Sequence, residues 1–291
     1  MRLALPVFLA LFAFWNCTPK GLGVPIRLDR PYKVGERFHL QVSAAHQEQT
    51  TLTTKESPRI FAASYTAILE GVVTVQAIDA RGRMSACSVE VERLEKVLAD
   101  KTETLLPKGA TLAARVTNGV DAYEARGAAL SESAQGALPL LLSMAKGGAS
   151  DDDLYGTRLP RRLGAEWGLS TERVAAELAH SGLTAKAKDV SGSCGLGEAP
   201  RVGDVDCIRV NRVVRVTNAT PVLAPGMRLV KSTLESAGSS LLPRDPARHP
   251  LEEEMSLRAH IVTSGQSQST GVETTVEWAG STRFTLKRRA P

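Results

Sequence analysis

The chain has 291 residues, of which 43% are hydrophobic and 23% charged, and these proportions exclude a chain that is disordered throughout. Aromatic residues amount to 4%, too few for a nucleic-acid surface built from stacked rings, and the net charge of +5 is spread along the sequence. We therefore expect no nucleic-acid partner, and the length allows either two domains or one large all-β body.

Residues 1–17 have the pattern of a signal peptide. Met1 and Arg2 give a positive start, and the apolar run Leu3–Phe14 is shorter than the roughly 20 residues of a membrane-spanning helix. No later stretch of the sequence approaches that length. The pattern predicts an exported protein that is periplasmic, anchored to the outer membrane or extracellular.

Cys17 lies where bacterial lipoproteins carry the cysteine that is lipidated. Its position after the apolar run fits that role, whereas the preceding Phe14, Trp15 and Asn16 depart from the usual small residues. Three alternatives stay open: lipid anchoring through Cys17, soluble secretion, and an uncleaved or misassigned start. In the first, the lipid is the only attachment to a membrane. The segment 18–30, with two prolines and two glycines, is interpreted as a tether.

The first half of the chain, residues 31–150, is predicted to be β-rich. Alternating or apolar runs predict strands at 38–42, 65–78, 87–94, 111–116 and 122–125. The strands at 65–78 and 87–94 are predicted to form one hairpin. The strands at 111–116 and 122–125 are predicted to form a second one, with its turn at Asn118 and Gly119. A helix near 131–145 follows, and Pro139 is expected in its first turn.

Asp151, Asp152 and Asp153 mark the predicted boundary between the halves. A calcium loop needs oxygen ligands at spaced positions, so these adjacent carboxylates are interpreted as a solvated linker, and no metal site is expected. The second half, 151–291, contains a predicted helix near 171–181. The two halves form either separate domains or one continuous domain.

Each half opens with a similar motif. Pro31–Leu40 and Leu159–Leu169 both run from a proline through a cationic residue, an aliphatic residue and a glycine to an aromatic residue. The spacing favours a turn at the glycine and a large buried ring after it. The structural anchors predicted from this motif are Gly35, Phe38, Gly164 and Trp167.

Cys194 and Cys207 flank a turn-rich segment. A hairpin centred near Pro200 would place them opposite each other, and the oxidising compartment of an exported protein permits a disulfide between them. In the alternative interpretation, Cys207 is a small buried hydrophobic residue. The sequence has no paired-cysteine motif and no cysteine–histidine cluster that would indicate a zinc site.

The C-terminal part is predicted to close as a meander. Strands are expected at 208–216, 227–234, 255–263, 272–278 and 283–287, with a proline-rich loop at 243–250. Gly265, Gly271 and Gly280 are interpreted as the turns that separate the last strands. No nucleophile-elbow, phosphate-loop or dinucleotide motif occurs, and the five histidines are scattered, so we expect neither enzyme activity nor a cofactor.

The motif Val34–Phe38 reads aliphatic, glycine, acidic, variable, aromatic, and it resembles the opener of uncharacterised β-rich bacterial envelope proteins, secreted or lipoprotein. Leu163–Trp167 matches it with the acidic residue displaced by one position, and the resemblance covers residues 31–216. It implies a curved antiparallel sheet and carries no catalytic residues. A looser likeness, of architecture alone, is to the half-barrel carriers that shield lipoprotein acyl chains in the periplasm.

The predicted fold is mainly β, with antiparallel curved sheets in two pseudo-repeated halves and short helices near 131–145 and 171–181. The expected function is that of a noncatalytic exported or lipid-anchored envelope protein whose concave sheet binds a hydrophobic or amphiphilic ligand such as a lipid. The alternative is a structural or protein-interaction module that binds an envelope protein and no small ligand.

Overall fold

The structure is a computed structural model that describes residues 23–54, 57–127, 129–144, 148–266 and 272–290. The predicted signal peptide and Cys17 lie outside these residues. Within the described ranges, no helix is both long enough and apolar enough to span a membrane.

The strands of the described chain are β1 (Arg37–Thr53), β2 (Pro58–Ile78), β3 (Met84–Leu98), β4 (Lys101–Leu106), β5 (Thr111–Thr117), β6 (Val120–Ala125), β7 (Glu166–Gly168), β8 (Leu183–Thr184), β9 (Val190–Leu196), β10 (Arg201–Val202), β11 (Val205–Thr217), β12 (Thr220–Pro221), β13 (Met227–Pro243), β14 (Glu252–Gln266) and β15 (Glu273–Arg289). Thirteen of them form one antiparallel sheet in the order β6-β5-β3-β2-β1-β15-β14-β13-β11-β9-β7, with β4 on β3 and β10 on β11. A small second sheet pairs β8 with β12. The prediction of a mainly β, antiparallel fold is therefore confirmed.

The large sheet runs without a break through both predicted halves, because β1 pairs along almost its whole length with β15. Side chains alternate between its two faces. Leu40 and Val42 are buried on one face, and Gln41 between them is exposed on the other. We call the buried side the inner face. The three α-helices of the described chain pack on it, since the core clusters combine their side chains with strand residues of this phase.

Four long strands replace shorter predicted ones. β1 is continuous over seventeen residues, β13 extends into the predicted proline-rich loop, and the last two strands form a single hairpin. The turns predicted at Gly265 and Gly280 are wrong, because both residues lie within strands. The ring of Trp278 occupies the space over Gly280, so this glycine serves close packing rather than a turn. The predicted turn at Gly271 lies outside the described residues.

The two predicted hairpins of the first half are confirmed. β2 pairs with β3, and β5 pairs with β6. Between the latter two strands, Asn118 and Gly119 have φ angles of 53° and 77°. Two consecutive positive φ angles are typical of the tight hairpin turn that an Asn-Gly pair favours.

Three short α-helices occur in the described chain: α1 (Glu132–Leu141), α2 (Asp151–Tyr155) and α3 (Thr171–His180). Ser131 caps α1, and Pro139 lies in its last turn rather than in its first as predicted, where the missing N–H removes one backbone hydrogen bond. The predicted linker at the three aspartates is also wrong. Ser150 and Asp153 form a capping box there, and the acidic first turn favours a helix.

The interpretation of residues 18–30 as a tether is wrong for its described part. Val24 bridges to Arg161 by backbone hydrogen bonds, and Ile26 and Leu28 are buried against the β9–β11 region together with Trp167. The backbone N–H of Leu28 donates to Asp152 of α2 at 2.7 Å. Apolar residues at every second position let this segment cover one end of the inner face, at Trp167, Ile208 and Leu242. We call this the lower end; it also contains the start of β1 and the end of β15.

The predicted disulfide between Cys194 and Cys207 is absent from the structure, in which both cysteines are free and buried. The hairpin turns near Gly203 rather than near Pro200, so Cys194 pairs with Arg212. Cys207 precedes Arg212 by an odd number of positions on the same strand and therefore points to the opposite face of the sheet.

The two opening motifs adopt the same local structure. Gly35 and Gly164 have φ angles of 85° and 79°, a conformation that side chains other than hydrogen disfavour. After each glycine a strand begins, and Phe38 and Trp167 are both only 7% exposed. Phe38 belongs to the core beneath α1, and Trp167 to the core beneath the N-terminal segment.

Candidate functional site

The candidate site is a gap in the helical cover of the inner face. α1 packs on β1, β2, β4 and β6, whereas α3 packs on β8, β9 and α2, so the two layers lie on either side of the centre of the sheet. That centre consists of β14 and β15. The structure describes β14 over its full length, and none of its residues is buried. The inner face is therefore open to solvent between the helices.

The open centre of the inner face is apolar. Cross-strand pairing sets Met255 beside Phe284 and Ile261 beside Trp278, and Met255 and Leu257 remain 42% and 39% exposed. We define the central patch by six apolar inner-face residues from the middle of these two strands: Met255, Leu257, Ala259, Ile261, Trp278 and Phe284. Because exposed apolar surface is unfavourable in water, a contiguous patch of this kind indicates a binding surface.

A pocket of about 140 Å³ opens from the central patch beneath α3, and we call it the α3 pocket. Helical side chains form its roof and strand side chains its base; the apolar lining is Leu154, Val174, Leu178, Val214, Val216, Leu234 and Leu257. Leu257 belongs to both the pocket and the patch, so the two surfaces are continuous. An apolar cavity of roughly 150 Å³ accommodates a benzene-sized group, so the pocket can hold one end of an elongated apolar ligand.

Arg212 lies at the lower end of this pocket on the inner face. It pairs across the strands with Gly238, where an added Cβ would lie 3.7 Å from its Nη2 atom. The guanidinium donates a hydrogen bond of 3.0 Å to Ser240 Oγ, and its central carbon lies 5.3 Å from the centroid of the Tyr155 ring. Burial raises the pKa of Tyr155, and the positive charge of Arg212 opposes that shift only in part.

A small polar group borders the patch on the side of β2. His46 Nδ1 lies 3.0 Å from Thr282 Oγ1, and His46 Nε2 lies 3.7 Å from Glu48. Lys96 Nζ lies 4.4 Å from the ring centroid of Tyr65. Burial raises the pKa of Tyr65, and the carboxylate of Glu48 adds to the shift. These groups contact one another and limit the apolar surface on that side.

The lower end of the inner face is closed by a packed polar and aromatic cluster. The His249 ring stacks on Tyr32 with centroids 3.9 Å apart, and its Nε2 atom lies 3.1 Å from Glu36. Arg288 lies over the ring of Phe38 and donates to the carbonyl of Pro250. Burial is the main cause of the lowered pKa of His249. The cluster fixes the N-terminal segment to the loop before β14.

A second pocket, of about 230 Å³, is polar and lies between the N-terminal segment, the β2–β3 turn and α2. Arg81 donates to the carbonyl of Gly148 and pairs with Asp153, and Arg83 pairs with Asp79 at 2.6 Å. Hydrogen bonds from Arg83 and Arg81 lower the pKa of Asp79 even though its burial acts in the opposite direction. The charges here are matched, and they join the first hairpin to α2.

The residues predicted as structural anchors do not line the central patch. Phe38 and Gly35 lie at the lower end of the sheet, and Trp167 and Gly164 lie beneath the N-terminal segment. Burial raises the pKa of Cys194 to about 11, which fits a core residue. In the described ranges, no group of three or more His, Cys, Asp and Glu side chains could hold a metal ion.

Sequence reasoning missed the residues of the patch and Arg212 as parts of one site. The alternating pattern of 255–263 did place its apolar side chains on one face. It could not show that this face lacks a helical cover, because the covers come from α1 and α3, which are more than 70 residues away along the chain. The one available signal was that the C-terminal meander contains no helix of its own.

No protein-family model matches the chain, and no curated protein is similar to it at a significant level. Among solved structures, it is similar to a DUF1329 family protein from Desulfovibrio piger, at 10% identity over 81% of this chain and 83% of that chain, with a TM-score of 0.15. It is also similar to a loop L8 deletion mutant of OmpT, an outer membrane protein of Vibrio cholerae, at 10% identity over 87% and 100% of the two chains, with a TM-score of 0.17. TM-scores this low establish no shared fold.

Proposed function

We propose that this protein is a noncatalytic, exported binding protein that holds a hydrophobic or amphiphilic ligand on the inner face of its sheet. The observation that carries the proposal is the uncovered central patch, which is continuous with the α3 pocket. The helical layers on either side of the patch bury the inner-face side chains beneath α1 and beneath α3. A ligand with an apolar chain would replace the missing cover.

The shape of the uncovered surface supports an elongated ligand rather than a compact one. The pocket alone is smaller than the roughly 300–1,000 Å³ of typical small-molecule sites. Along β14, however, the inner face continues from Met255 to Thr263, which is roughly 27 Å of extended strand. A ligand that fills the pocket with one part and lies along this strand with the rest would bury both surfaces.

The proposal is tested with N-phenyl-1-naphthylamine, an uncharged probe that fluoresces in apolar surroundings. We expect saturable fluorescence enhancement with the wild-type protein and a loss of at least tenfold in affinity for Leu257→Glu, because a carboxylate would then lie between the patch and the pocket. Ser256→Glu is the matched control, since Ser256 precedes Leu257 on β14 and faces the opposite side of the sheet beside Arg283.

Equal binding by the two variants would contradict the proposal, and so would the absence of saturable enhancement. Native mass spectrometry of protein recovered from its own cell envelope gives an independent readout. A noncovalent adduct of lipid size that is lost on denaturation supports the binding function, and the same spectrum shows whether Cys17 is modified.

The second candidate function is a protein-interaction module, and one observation favours it. Near the start of β2, Ile60 and Phe61 are 63% and 60% exposed and point to opposite faces of the sheet. Large apolar side chains with this exposure are typical of contact surfaces between proteins. A bare protein in the native spectrum, together with absent probe binding, would favour this function.

A further inference from the structure

Arg212 is a charged inner-face residue of β11, and it lies next to the α3 pocket. On β11 it precedes Val214 by two residues, so both side chains point to the inner face about 7 Å apart. Val214 lines the α3 pocket, and so does Tyr155, whose ring the guanidinium contacts. The apolar pocket therefore has a cation at its lower end.

This cation lacks a partner of opposite charge. Within the part of the chain that the structure describes, its polar contacts are the hydroxyl of Ser240 and the ring of Tyr155, and it forms no ion pair. The two neighbouring arginines of β11 behave differently, because Arg209 pairs with Glu198 and Arg215 pairs with Glu235 on the outer face. Partly burying a guanidinium without a carboxylate partner costs free energy, and an anion from a ligand would offset that cost by pairing with it.

The carboxylates around Arg212 leave that position open. Glu253 shares the inner face, next to Ser240 on the neighbouring strand. Asp151 and Glu177 act electrostatically on Tyr155, and Glu177 of α3 also lines the α3 pocket. None of these three forms an ion pair with Arg212 among the described residues. Gly238 carries no side chain, and the guanidinium lies over this glycine, beside Met255 of the central patch.

From this arrangement, and resting on the proposed binding function, we propose that the ligand is a long-chain fatty acid whose carboxylate binds the guanidinium of Arg212. Its acyl chain enters the α3 pocket past Val214 and continues over Leu257 along the central patch. The planar fork of the guanidinium suits a carboxylate, which accepts two parallel hydrogen bonds. The Tyr155 ring holds the guanidinium in place from the side of the helices.

The test compares hexadecanoate with hexadecanol as competitors of N-phenyl-1-naphthylamine. For the wild-type protein we expect hexadecanoate to displace the probe at a concentration at least tenfold lower than hexadecanol. In Arg212→Met, which keeps an apolar stem but removes the charge, the preference should fall to near unity. Arg215→Met is the matched control, because Arg215 lies on the same strand, faces outward and is paired with Glu235, and it should retain the full preference.

Each outcome separates this inference from the binding function on which it rests. If both competitors displace the probe equally well from the wild-type protein, the assignment of the carboxylate to Arg212 is overturned and the apolar site stands. The same holds if Arg212→Met keeps the preference. If the probe itself does not bind, the proposed function fails first. The comparison of the two competitors on the wild-type protein needs no variant and therefore does not depend on whether Arg212→Met folds.

Discussion

Two regions of the inner face, the strands beneath α1 and the uncovered strand β14, have the same alternating pattern of apolar side chains and differ in whether a helix covers them. Beneath α1, Leu69 and Val73 are completely buried, and Leu138 of the helix packs into the same cluster. On β14, Met255 and Leu257 alternate with polar residues in the same way and stay about 40% exposed. Alternation therefore decides which face a side chain occupies, and the helices decide whether that face becomes a core or a surface.

Different elements cover different parts of the inner face. The N-terminal segment adds Ile26 and Leu28 over the lower end of β9 and β11, in the cluster that contains Trp167. Three separate elements, α1, α3 and this segment, thus protect the inner face from three sides. They leave the central patch open, and the patch adjoins Arg212, which forms no ion pair among the described residues.

The largest difference in stability is expected between variants of the two tryptophans of the inner face. Trp167 is buried and donates a hydrogen bond of 2.8 Å to the carbonyl of Tyr155, so Trp167→Ala should cost about 3–5 kcal/mol of unfolding free energy. Trp278 lies over Gly280 in the central patch and is half-buried, so Trp278→Ala should cost about 1–2 kcal/mol. Urea denaturation of both variants measures the difference.

A denaturation midpoint that Trp167→Ala leaves unchanged would show that the N-terminal segment does not form a core there. A large loss for Trp278→Ala would show that the central patch is a core and not a binding surface. The slope of the transition serves as a control, because a changed slope would mean that the variant altered the denatured state or the cooperativity.

The sequence predicted much of the fold because its signals are local. The alternating runs, the Asn118-Gly119 turn and the helix that Ser131 caps all depend on neighbours within a few residues. The errors arose where distant residues decide. The three aspartates became a helix whose carboxylates reach Leu28 and Arg81, far away in the chain, and Gly280 stays in a strand because of the ring above it.

The candidate site was less predictable than the fold for the same reason. Its parts come from α2, α3, β11, β13 and β14, and no motif of adjacent residues connects them. In the sequence, Arg212 is one of three arginines on the predicted strand 208–216. The structure distinguishes it from Arg209 and Arg215, which face outward and pair with Glu198 and Glu235, whereas Arg212 faces inward over Gly238 and contacts the ring of Tyr155.

The cluster around His249 at the lower end of the inner face should make the stability of the protein depend on pH. The side chain of His249 is only 9% exposed. Burial is the main reason that its pKa lies below the ordinary value of 6.5; Glu36 acts in the other direction, and the positive charges of Arg288 and Arg30 add to the lowering. The folded state therefore binds fewer protons than the unfolded state. Stability should be complete above pH 6.5 and should decrease as the pH falls through the pKa of the folded state.

The measurement is the urea midpoint of the wild-type protein and of His249→Gln between pH 5 and pH 8. The variant keeps a polar side chain that can reach Glu36 but does not titrate, so its midpoint should change less over this range. His260→Gln is the control, because His260 pairs with Glu277 at a more exposed position on the outer face. A steeper pH dependence in His249→Gln than in the wild type would contradict the sign of the shift.

The last prediction concerns the reactivity of thiols, which reports directly whether a side chain of the inner face is covered. Cys87 beneath α1 has its pKa raised to about 12 by burial, and Cys194 to about 11, so neither should react with iodoacetamide at pH 8 in the folded protein. Leu257→Cys places a thiol in the central patch, where the side chain it replaces is 39% exposed, and it should be alkylated within minutes. Peptide mass mapping identifies each site. Hexadecanoate should slow the alkylation of Leu257→Cys without affecting Cys87, because only the former lies under the proposed acyl chain. Equal reactivity of the two thiols would mean that β14 is as well covered as the strands beneath α1.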